Sequence, residues 1–375
     1  MKIAMLDSAD RDYTVQTAGR EPLGGTQTAV CQVCVGLAKL GHGVTLFRGT
    51  SDAGRIEGVD HLASSTLTLK VLESLKLDVI VLISSTGEGR RIRSIMSDTS
   101  RLVLWAHIPD DQPSFAGLRD SLERDAYDGF VFVSQWQAEQ FGKAFGIDLR
   151  RATILRNAAA PAFINLFAGG EPILPHKARP PVLVYTSAPN RGLNILLQAF
   201  PEIRAKFAGA RLQVFSSMQL YATSRQDDLR EYGHLYEQCR RTEGVEHFGA
   251  VPQPVLAGLV RQAAVLAYPN TMEEASCIAA IEAMAAGCQI VTTAGGALPE
   301  TTAGFAQLIP AGLALPEYRR QFVDAAVGAL RRMDADAPAV EQLLRRQREF
   351  VLKHYNWADR AGEWERWLSA LPSRA

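Results

Sequence analysis

The sequence has few cysteines, and their arrangement excludes a disulfide framework. Five Cys residues, an odd number, are scattered along 375 residues, and a chain of this size does not depend on so few for stability. Cys31 and Cys34 form a Cys-x-x-Cys pair, but they lie inside an apolar helical pattern, which indicates packing rather than redox chemistry. A zinc site would need two more ligands, and no other Cys or His pair has ligand spacing. We therefore expect free thiols.

The sequence also lacks long apolar runs and any excess of charge. There is no stretch of 18 apolar residues and no charged leader followed by an apolar segment, since Met1 and Lys2 lead directly into a short strand pattern. Lys plus Arg and Asp plus Glu are equal at 40 each, so no global field would recruit nucleic acid or an anionic membrane. We expect a cytoplasmic protein that binds no nucleic acid and has at most peripheral membrane contact.

Two common ligand motifs are missing or out of place. The dinucleotide fingerprint Gly-x-Gly-x-x-Gly is absent from the turn after the first predicted strand, which weakens a dehydrogenase hypothesis. Asp10–Asp12 and Asp334–Asp336 have the Asp-x-Asp form of a metal-diphosphate site. The first lies in a polar loop and the second joins two helical stretches, so we interpret both as solvated acids and expect no metal.

What the sequence does contain is a repeated alternation of buried strands and helices. The strands are apolar throughout, which predicts parallel sheets covered on both faces. A Pro, Gly and Ala-rich segment from Pro161 to Pro181 separates two such cycles and is predicted to be the linker. The predicted strands begin at Lys2, Val44, Val79, Arg101, Gly129 and Ala152 in the first cycle, and at Val182, Leu212, Val245, Val265, Gln289 and Ala306 in the second. Length and composition allow two Rossmann-like domains.

The most informative stretch runs from Ala264 to Glu300 and is predicted to form a strand, a loop, a helix and a second strand. The N-terminus of that helix points free backbone N–H groups at the carboxyl edge of the sheet, which favours an anion. Glu274 precedes the helix and Glu282 lies within it, so the two carboxylates could bind hydroxyls on either side of a phosphate, as in a nucleotide sugar. From spacing alone, one capping and one solvent-facing Glu remains an open alternative.

Glu274, Glu282 and the small residues that follow to Gly287 resemble the signature of the retaining glycosyltransferases of the GT-B fold, family 4. The resemblance implies two facing Rossmann-like domains with an interdomain cleft. It implies that Glu274 contacts the donor sugar, that Glu282 binds the ribose diol, and that the backbone amides of Cys277 and Ile278 bind the diphosphate.

The same family has a basic residue pair after the first strand of its second domain. Arg191, followed by Gly192, fits the second basic position, and we predict that it carries the charge of the leaving diphosphate. Thr186 stands where the first Arg is expected, so half of the clamp is missing or is supplied by the Thr186 and Ser187 hydroxyls.

Three further residues are predicted to act from the first domain. Gly24 and Gly25 precede a helix and resemble the Gly-Gly loop that the family places over the transferred sugar, although a plain tight turn is the alternative. His107 ends a strand and could donate to a sugar hydroxyl or carry a proton near neutral pH. Ser134 resembles another motif of the family, but we interpret it as a helix N-cap.

We therefore predict a metal-independent retaining glycosyltransferase with no cofactor. Its donor is a nucleoside diphosphate sugar, UDP-sugar or GDP-sugar, and its acceptor is a carbohydrate or glycolipid of bacterial glycan synthesis; a cluster at Arg90, Arg91 and Arg93 hints at an acidic or membrane-associated acceptor. The acceptor domain is predicted at 1–165 and the nucleotide-sugar domain at 166–357, with a closing helix at 358–375 that packs back on the first. A nucleotide-sugar epimerase or hydrolase, and a non-catalytic nucleotide-sugar-binding protein, remain alternatives.

Overall fold

A computed structural model describes residues 1–9, 11–49, 51 and 53–372. The chain forms two compact units. The first comprises Met1–Thr17, Gly25–Asn157 and Trp357–Ala375, and the second comprises Ala18–Gly24 and Ala158–Asn356. Asp10, the first residue of one Asp-x-Asp sequence, lies outside the described residues.

The first unit is built around an eight-stranded sheet. Its elements up to Asn157 are β1 (Lys2–Asp7), α1 (Thr17–Arg20, which continues into the segment grouped with the second unit), α2 (Gly25–Lys39), β2 (Gly43–Arg48), β3 (Gly54–Ile56), β4 (Val59–Ala63), α3 (Leu69–Leu75), β5 (Val79–Ile83), α4 (Gly89–Arg93), β6 (Arg101–Trp105), α5 (Ser121–Ala126), β7 (Gly129–Phe132), α6 (Gln135–Phe145) and β8 (Ala152–Ile154). The strand order is β3-β4-β2-β1-β5-β6-β7-β8, with β3 antiparallel to β4 and the other pairs parallel.

The second unit has a six-stranded sheet in which every pair is parallel. Its elements are α7 (Pro161–Ile164), β9 (Val182–Tyr185), α8 (Leu193–Lys206), β10 (Arg211–Val214), α9 (Arg225–Arg241), β11 (Val245–His247), α10 (Gln253–Val260), β12 (Val265–Tyr268), α11 (Ile278–Ala285), β13 (Gln289–Thr293), α12 (Leu298–Thr302), β14 (Ala306–Ile309), α13 (Leu315–Ala335) and α14 (Ala337–His354). The order β11-β10-β9-β12-β13-β14 reverses between β9 and β12, the point where open α/β sheets place ligands.

The final helix, α15 (Trp357–Ala370), belongs to the first unit and packs on α2. A Cβ on Gly36 would lie 2.5 Å from the Cβ of Ala361, so the two helices approach closely because Gly36 has no side chain. Trp364 packs edge-on against Trp105 at the end of β6, with ring centroids 4.8 Å apart. The last segment of the chain therefore completes the core of the first unit.

The division at Asn157 and Ala158 falls ahead of the predicted boundary at 165/166, and the predicted linker is not a linker. Ala159, two residues before this segment, forms an isolated parallel bridge with Asn356 at the end of the second unit. Glu341 on α14 accepts hydrogen bonds from the backbone N–H groups of Ile173 and Leu174, at 2.8–3.1 Å. The Pro and Gly-rich composition indicated irregular backbone correctly, but that backbone packs on the second unit.

All twelve predicted strands are present, and the prediction missed β3 and β4. The strand β4 was missed because the adjacent polar residues Asp60 and His61 interrupt its apolar pattern. His61 is nevertheless fully buried, and its Nε2 accepts a hydrogen bond from the Val15 N–H at 3.2 Å. Ser134 caps α6, as predicted, since its hydroxyl accepts from the Gln137 N–H at 3.0 Å. None of the described helices is long and apolar enough to cross a membrane.

Candidate active site

Two neighbouring loops of the second unit hold two of the predicted catalytic residues, Arg191 and Glu274. The strands β9 and β12 pair in parallel, so their carboxyl ends meet at one edge of the sheet. The loop after β9 carries Ser187 and Arg191, and the loop after β12 carries Glu274. Residues that are far apart in the sequence are brought together because the strand order reverses here.

Glu274 is the centre of a hydrogen-bonded group at this edge. Its Oε1 accepts from Arg191 Nη1 at 2.9 Å and from the Tyr268 hydroxyl at 2.5 Å. The Ser187 hydroxyl in turn lies 3.4 Å from the Tyr268 hydroxyl and donates to it. The side chains of Glu274 and Arg191 are 11% and 23% exposed, so the ion pair is largely shielded but still reachable from one side.

The charged and polar side chains of this group shift one another's pKa values. Burial acts to lower the pKa of Arg191, but the Glu274 carboxylate and Tyr268 act in the opposite direction, and the pKa is raised above its usual value. Burial, followed by the Glu274 charge, raises the pKa of Tyr268 well above its usual range. At neutral pH the group therefore presents a charged guanidinium and a neutral phenol. The remaining Arg191 N–H groups have no partner among the described residues, which leaves them available to a ligand.

Two glycines fix the loops that carry the ion pair. Gly192 has φ +98° and a Cβ there would overlap the Pro269 carbonyl oxygen, so only Gly lets the two loops meet. Gly296, with φ +58°, lies against the backbone of Glu274, and a Cβ would overlap the Glu274 N atom. Ala297 also donates its N–H to the Glu274 carbonyl oxygen at 2.7 Å. The position of Glu274 is therefore set by backbone contacts on the loop after β13.

The helix α11 begins directly after Glu274 at this same edge. Cys277 is its N-cap, with no side-chain capping bond to the described part of the helix, and burial raises the pKa of its thiol, which stays neutral. At the other end Gly287 has φ +68°, and the buried Lys177 ammonium donates to the Ala286 carbonyl oxygen at 2.7 Å, complementing the helix dipole. Ile278 is the first residue of α11, so its amide belongs to the first turn of the helix.

Glu282 lies on α11 away from the Arg191 ion pair. It is 5% exposed, and its Oε1 accepts from the Ala160 N–H at 3.4 Å. Gln253, at the start of α10, also donates to it through its side chain. Burial raises the pKa of Glu282 to about 8, against the weaker opposing effect of these two hydrogen bonds. The two predicted carboxylates therefore differ: Glu274 is ion-paired with Arg191, whereas Glu282 has no ion-pair partner among the residues that the structure describes.

The residues predicted in the first domain do not all fall in one unit. Gly25 is the first residue of α2 in the first unit, whereas Gly24 is grouped with the second. His107 follows β6, its ring centroid lies 4.3 Å from that of Trp105, and its buried Nε2 has no hydrogen-bond partner among the described residues. Burial lowers the pKa of His107 to about 3. The ring is neutral at pH 7, so it can donate one hydrogen bond but does not carry a charge there.

The basic cluster of Arg90, Arg91 and Arg93 on α4 is not a free cationic surface. A guanidinium nitrogen of Arg91 lies 2.7 Å from a Glu88 carboxylate oxygen, and one of Arg93 lies 2.6 Å from an Asp128 carboxylate oxygen. The corresponding distance from Arg90 to Asp120 is 3.6 Å. Each guanidinium has a carboxylate partner, so the cluster as a whole is neutral. The hint of an acidic acceptor that the three arginines gave in the sequence is removed by this pairing.

Two residues of the site were missed by the sequence analysis, Tyr268 and Gln253. Tyr268 had a detectable signal, because a Tyr that ends a buried strand needs a partner for its hydroxyl. Gln253 gave no such signal, since it reaches Glu282 only through the packing of α10. No group of three or more His, Cys, Asp or Glu side chains able to hold a metal ion occurs in the part of the chain that the structure describes.

Comparison with known proteins identifies the region that carries this site. Residues 180–332 match the family of glycosyl transferases group 1. The match includes the Arg191 loop, the Glu274 loop and the whole of α11, so the resemblance to glycosyltransferases noted from Glu274 to Gly287 is confirmed at that level. No curated protein matches the sequence.

Solved glycosyltransferase structures share the fold of the whole chain. A glycosyltransferase from Rickettsia africae ESF-5 is 11% identical, with a TM-score of 0.70 over 99% of this chain and 98% of that one. WaaG, a glycosyltransferase involved in lipopolysaccharide biosynthesis, is 14% identical, with a TM-score of 0.69 over 98% and 100%. HepE from Anabaena, in complex with UDP-glucose, is 14% identical, with a TM-score of 0.68 over 99% and 100%. The predicted GT-B fold is confirmed.

Proposed function

We propose that this protein is a glycosyltransferase that moves a sugar, a hexose, from a nucleoside diphosphate donor to an acceptor hydroxyl. The observation that carries the proposal is the group formed by Glu274, Arg191 and Tyr268 beside the N-terminus of α11. It sets a guanidinium and free backbone amides next to a carboxylate, which suits a diphosphate joined to a polyol. The match of residues 180–332 to glycosyl transferases group 1 supports the same conclusion.

In the proposed reaction the residues of this group bind different parts of the donor. The free N–H groups of Arg191 and the amides of Cys277 and Ile278 stabilise the negative charge on the departing diphosphate. Glu274 accepts hydrogen bonds from the transferred sugar, and its ion pair keeps Arg191 oriented. Glu282 binds the ribose diol.

We extend the proposal in three respects. Transfer retains the anomeric configuration, it needs no metal, and the base of the donor is uracil or guanine. Retention follows the resemblance to retaining enzymes and would be checked by the anomeric coupling constant of the first-formed product in NMR. Metal independence is supported by Arg191, a protein cation already placed for the diphosphate. The donor is a UDP-sugar or GDP-sugar, and the UDP-glucose complex of the structurally similar HepE supports testing UDP-glucose first.

A role in bacterial glycan or glycolipid synthesis in the cytoplasm completes the proposal. The similarity to WaaG supports a glycan acceptor. Cys31, Cys34, Cys239, Cys277 and Cys288 are all free and buried, which fits a reducing compartment.

The experiment that tests the proposal separates the two carboxylates. Glu282→Ala is expected to weaken UDP and UDP-glucose alike, by about 2–4 kcal/mol for two lost ribose bonds. Glu274→Ala is expected to weaken UDP-glucose more than UDP, because UDP loses only the orientation that Glu274 gives to Arg191. Isothermal titration of both ligands against both variants measures this, and equal losses of UDP affinity would show that the division of roles is wrong.

A further inference from the structure

The first unit contains a cavity of about 390 Å³ that the proposed donor site does not use. It opens at the carboxyl edge of the sheet, between β1, β5 and the helices α3 and α4. Its volume lies within the range of roughly 300–1,000 Å³ typical of small-molecule sites. The floor is apolar and consists of core side chains: Leu6, Phe47, Leu72, Leu82 and Ile92.

The rim of the cavity is polar but uncharged as a whole. The hydroxyls of Ser8, Ser64 and Ser85 line it and make no hydrogen bond to any described residue. Asp7 also belongs to the lining, but its carboxylate is buried and accepts hydrogen bonds from the Tyr13 hydroxyl and the Gln27 side-chain amide. At the mouth Glu88 and Arg91 neutralise each other at 2.7 Å. An anion would have to break this pair, whereas a neutral molecule with hydroxyls can use the three serines directly.

The segment that forms one wall is held rigidly by a buried carboxylate. Glu123 on α5 is 3% exposed, and it accepts from the N–H groups of Gly87 and Gly89 at 2.7 and 2.8 Å and from that of Arg90 at 3.1 Å. A carboxylate that accepts several charge-assisted bonds fixes the turn before α4. The wall that carries Glu88 and Arg91 is therefore preformed.

We propose that this cavity binds the acceptor, and that the acceptor is an uncharged amphiphile: an apolar chain or ring system that carries a sugar or polyol head. The apolar part fills the floor between Phe47, Leu72 and Leu82, and the hydroxylated head lies at the serine rim. That the ligand is the acceptor rests on the proposed function. The predicted chemistry of the ligand, neutral and amphiphilic, rests on the cavity alone.

The test uses N-phenyl-1-naphthylamine, a neutral apolar probe whose fluorescence rises on burial. We expect saturable binding to the wild-type protein, displaced by octyl β-D-glucoside below its micellar concentration but not by methyl β-D-glucoside. Leu69→Trp, which fills the mouth, is expected to weaken probe and octyl glucoside at least tenfold. Leu149→Trp adds the same bulk at an exposed leucine outside the cavity and is expected to change neither.

Further variants and ligands keep the result decisive. Ser85→Ala removes a rim hydroxyl without adding bulk. We expect it to lower the affinity for octyl glucoside about threefold to tenfold, the loss of one hydrogen bond, and to leave the affinity for the apolar probe unchanged. Octanoate is expected to displace the probe less well than octyl glucoside. Equal binding by methyl and octyl glucosides, stronger binding of octanoate, or an unaffected Leu69→Trp variant would each overturn the proposal.

UDP binding is measured in parallel on the same preparations. If the wild-type protein does not bind UDP, the donor role is refuted and the cavity proposal is unaffected. Retained UDP binding with no probe binding would refute the cavity proposal without touching the donor role.

Discussion

Raising the pH is expected to destabilise the second unit through a single buried carboxyl, Glu282. Burial raises its pKa to about 8, from an ordinary value of 4.5. Between these two values the folded chain holds a proton at Glu282 that the unfolded chain has released. Stability therefore falls as pH rises through this window, because the folded state binds more protons. The difference between these two pKa values corresponds to an upper limit of about 5 kcal/mol between pH 4 and pH 9.

Glu282→Gln provides the comparison, since it keeps the shape and removes the titration. We expect the stability difference between wild type and variant to change by several kcal/mol between pH 5 and pH 8.5, in the direction that favours wild type at low pH. Urea unfolding followed by far-UV circular dichroism measures it. All five Trp residues lie in the first unit, so their fluorescence supplies an internal reference for that unit.

The outcome that refutes this reasoning is a parallel pH dependence in wild type and variant. It would mean that Glu282 titrates near its ordinary value, and that water or a local rearrangement relieves its burial. The same titration acts on ligand binding: if the ribose diol needs the charged carboxylate, UDP affinity of the wild type rises towards pH 8 relative to that of the variant.

Three other changes are expected to have distinct effects. Gly296→Ala places a methyl group against the backbone of Glu274, and we expect it to lower turnover at least tenfold and to lower the free energy of unfolding by more than about 1 kcal/mol. The control is Gly304→Ala, at φ +82° with open space around it, which is expected to lose only the backbone strain of about 1 kcal/mol. Enzyme kinetics and urea unfolding measure both variants. Arg191→Ala is expected to lower kcat by about 10²–10³, the loss of one preorganised charge-stabilising group, and a rise in KM alone would instead assign Arg191 to positioning. Transfer activity is expected to survive excess EDTA; a loss that Mg²⁺ or Mn²⁺ restores would contradict the assignment of leaving-group charge to Arg191.

The sequence predicted the sheets well because their strands are buried on both faces. Strands such as β5 and β12 are apolar at every position, so they stand out without any knowledge of their neighbours. The strand β4 was missed since His61 is buried through specific hydrogen bonds that only the folded chain reveals. The Pro and Gly-rich segment after Ala160 was misassigned for a similar reason: composition shows irregular backbone but not what it packs on.

The candidate site was predictable in its acids and not in their partners. Glu274 and Glu282 were proposed from their spacing together with the family resemblance, and Arg191 from the resemblance and its place after a strand. Their different environments depend on Tyr268 and Gln253, which come from neighbouring elements. Nothing in the spacing indicates that one acid is ion-paired and the other carries a pKa of about 8.

The return of α15 to the first unit has a consequence for the order in which the protein can fold during synthesis. The ribosome produces β1 to β8 long before Trp357–Ala370, yet Gly36 and Trp105 need Ala361 and Trp364 to be covered. The nascent first unit therefore waits with an open apolar face on α2 while the whole second unit emerges. Of the two, the second unit is the one able to complete its core first, because all of its elements from α7 to α14 are contiguous in the chain.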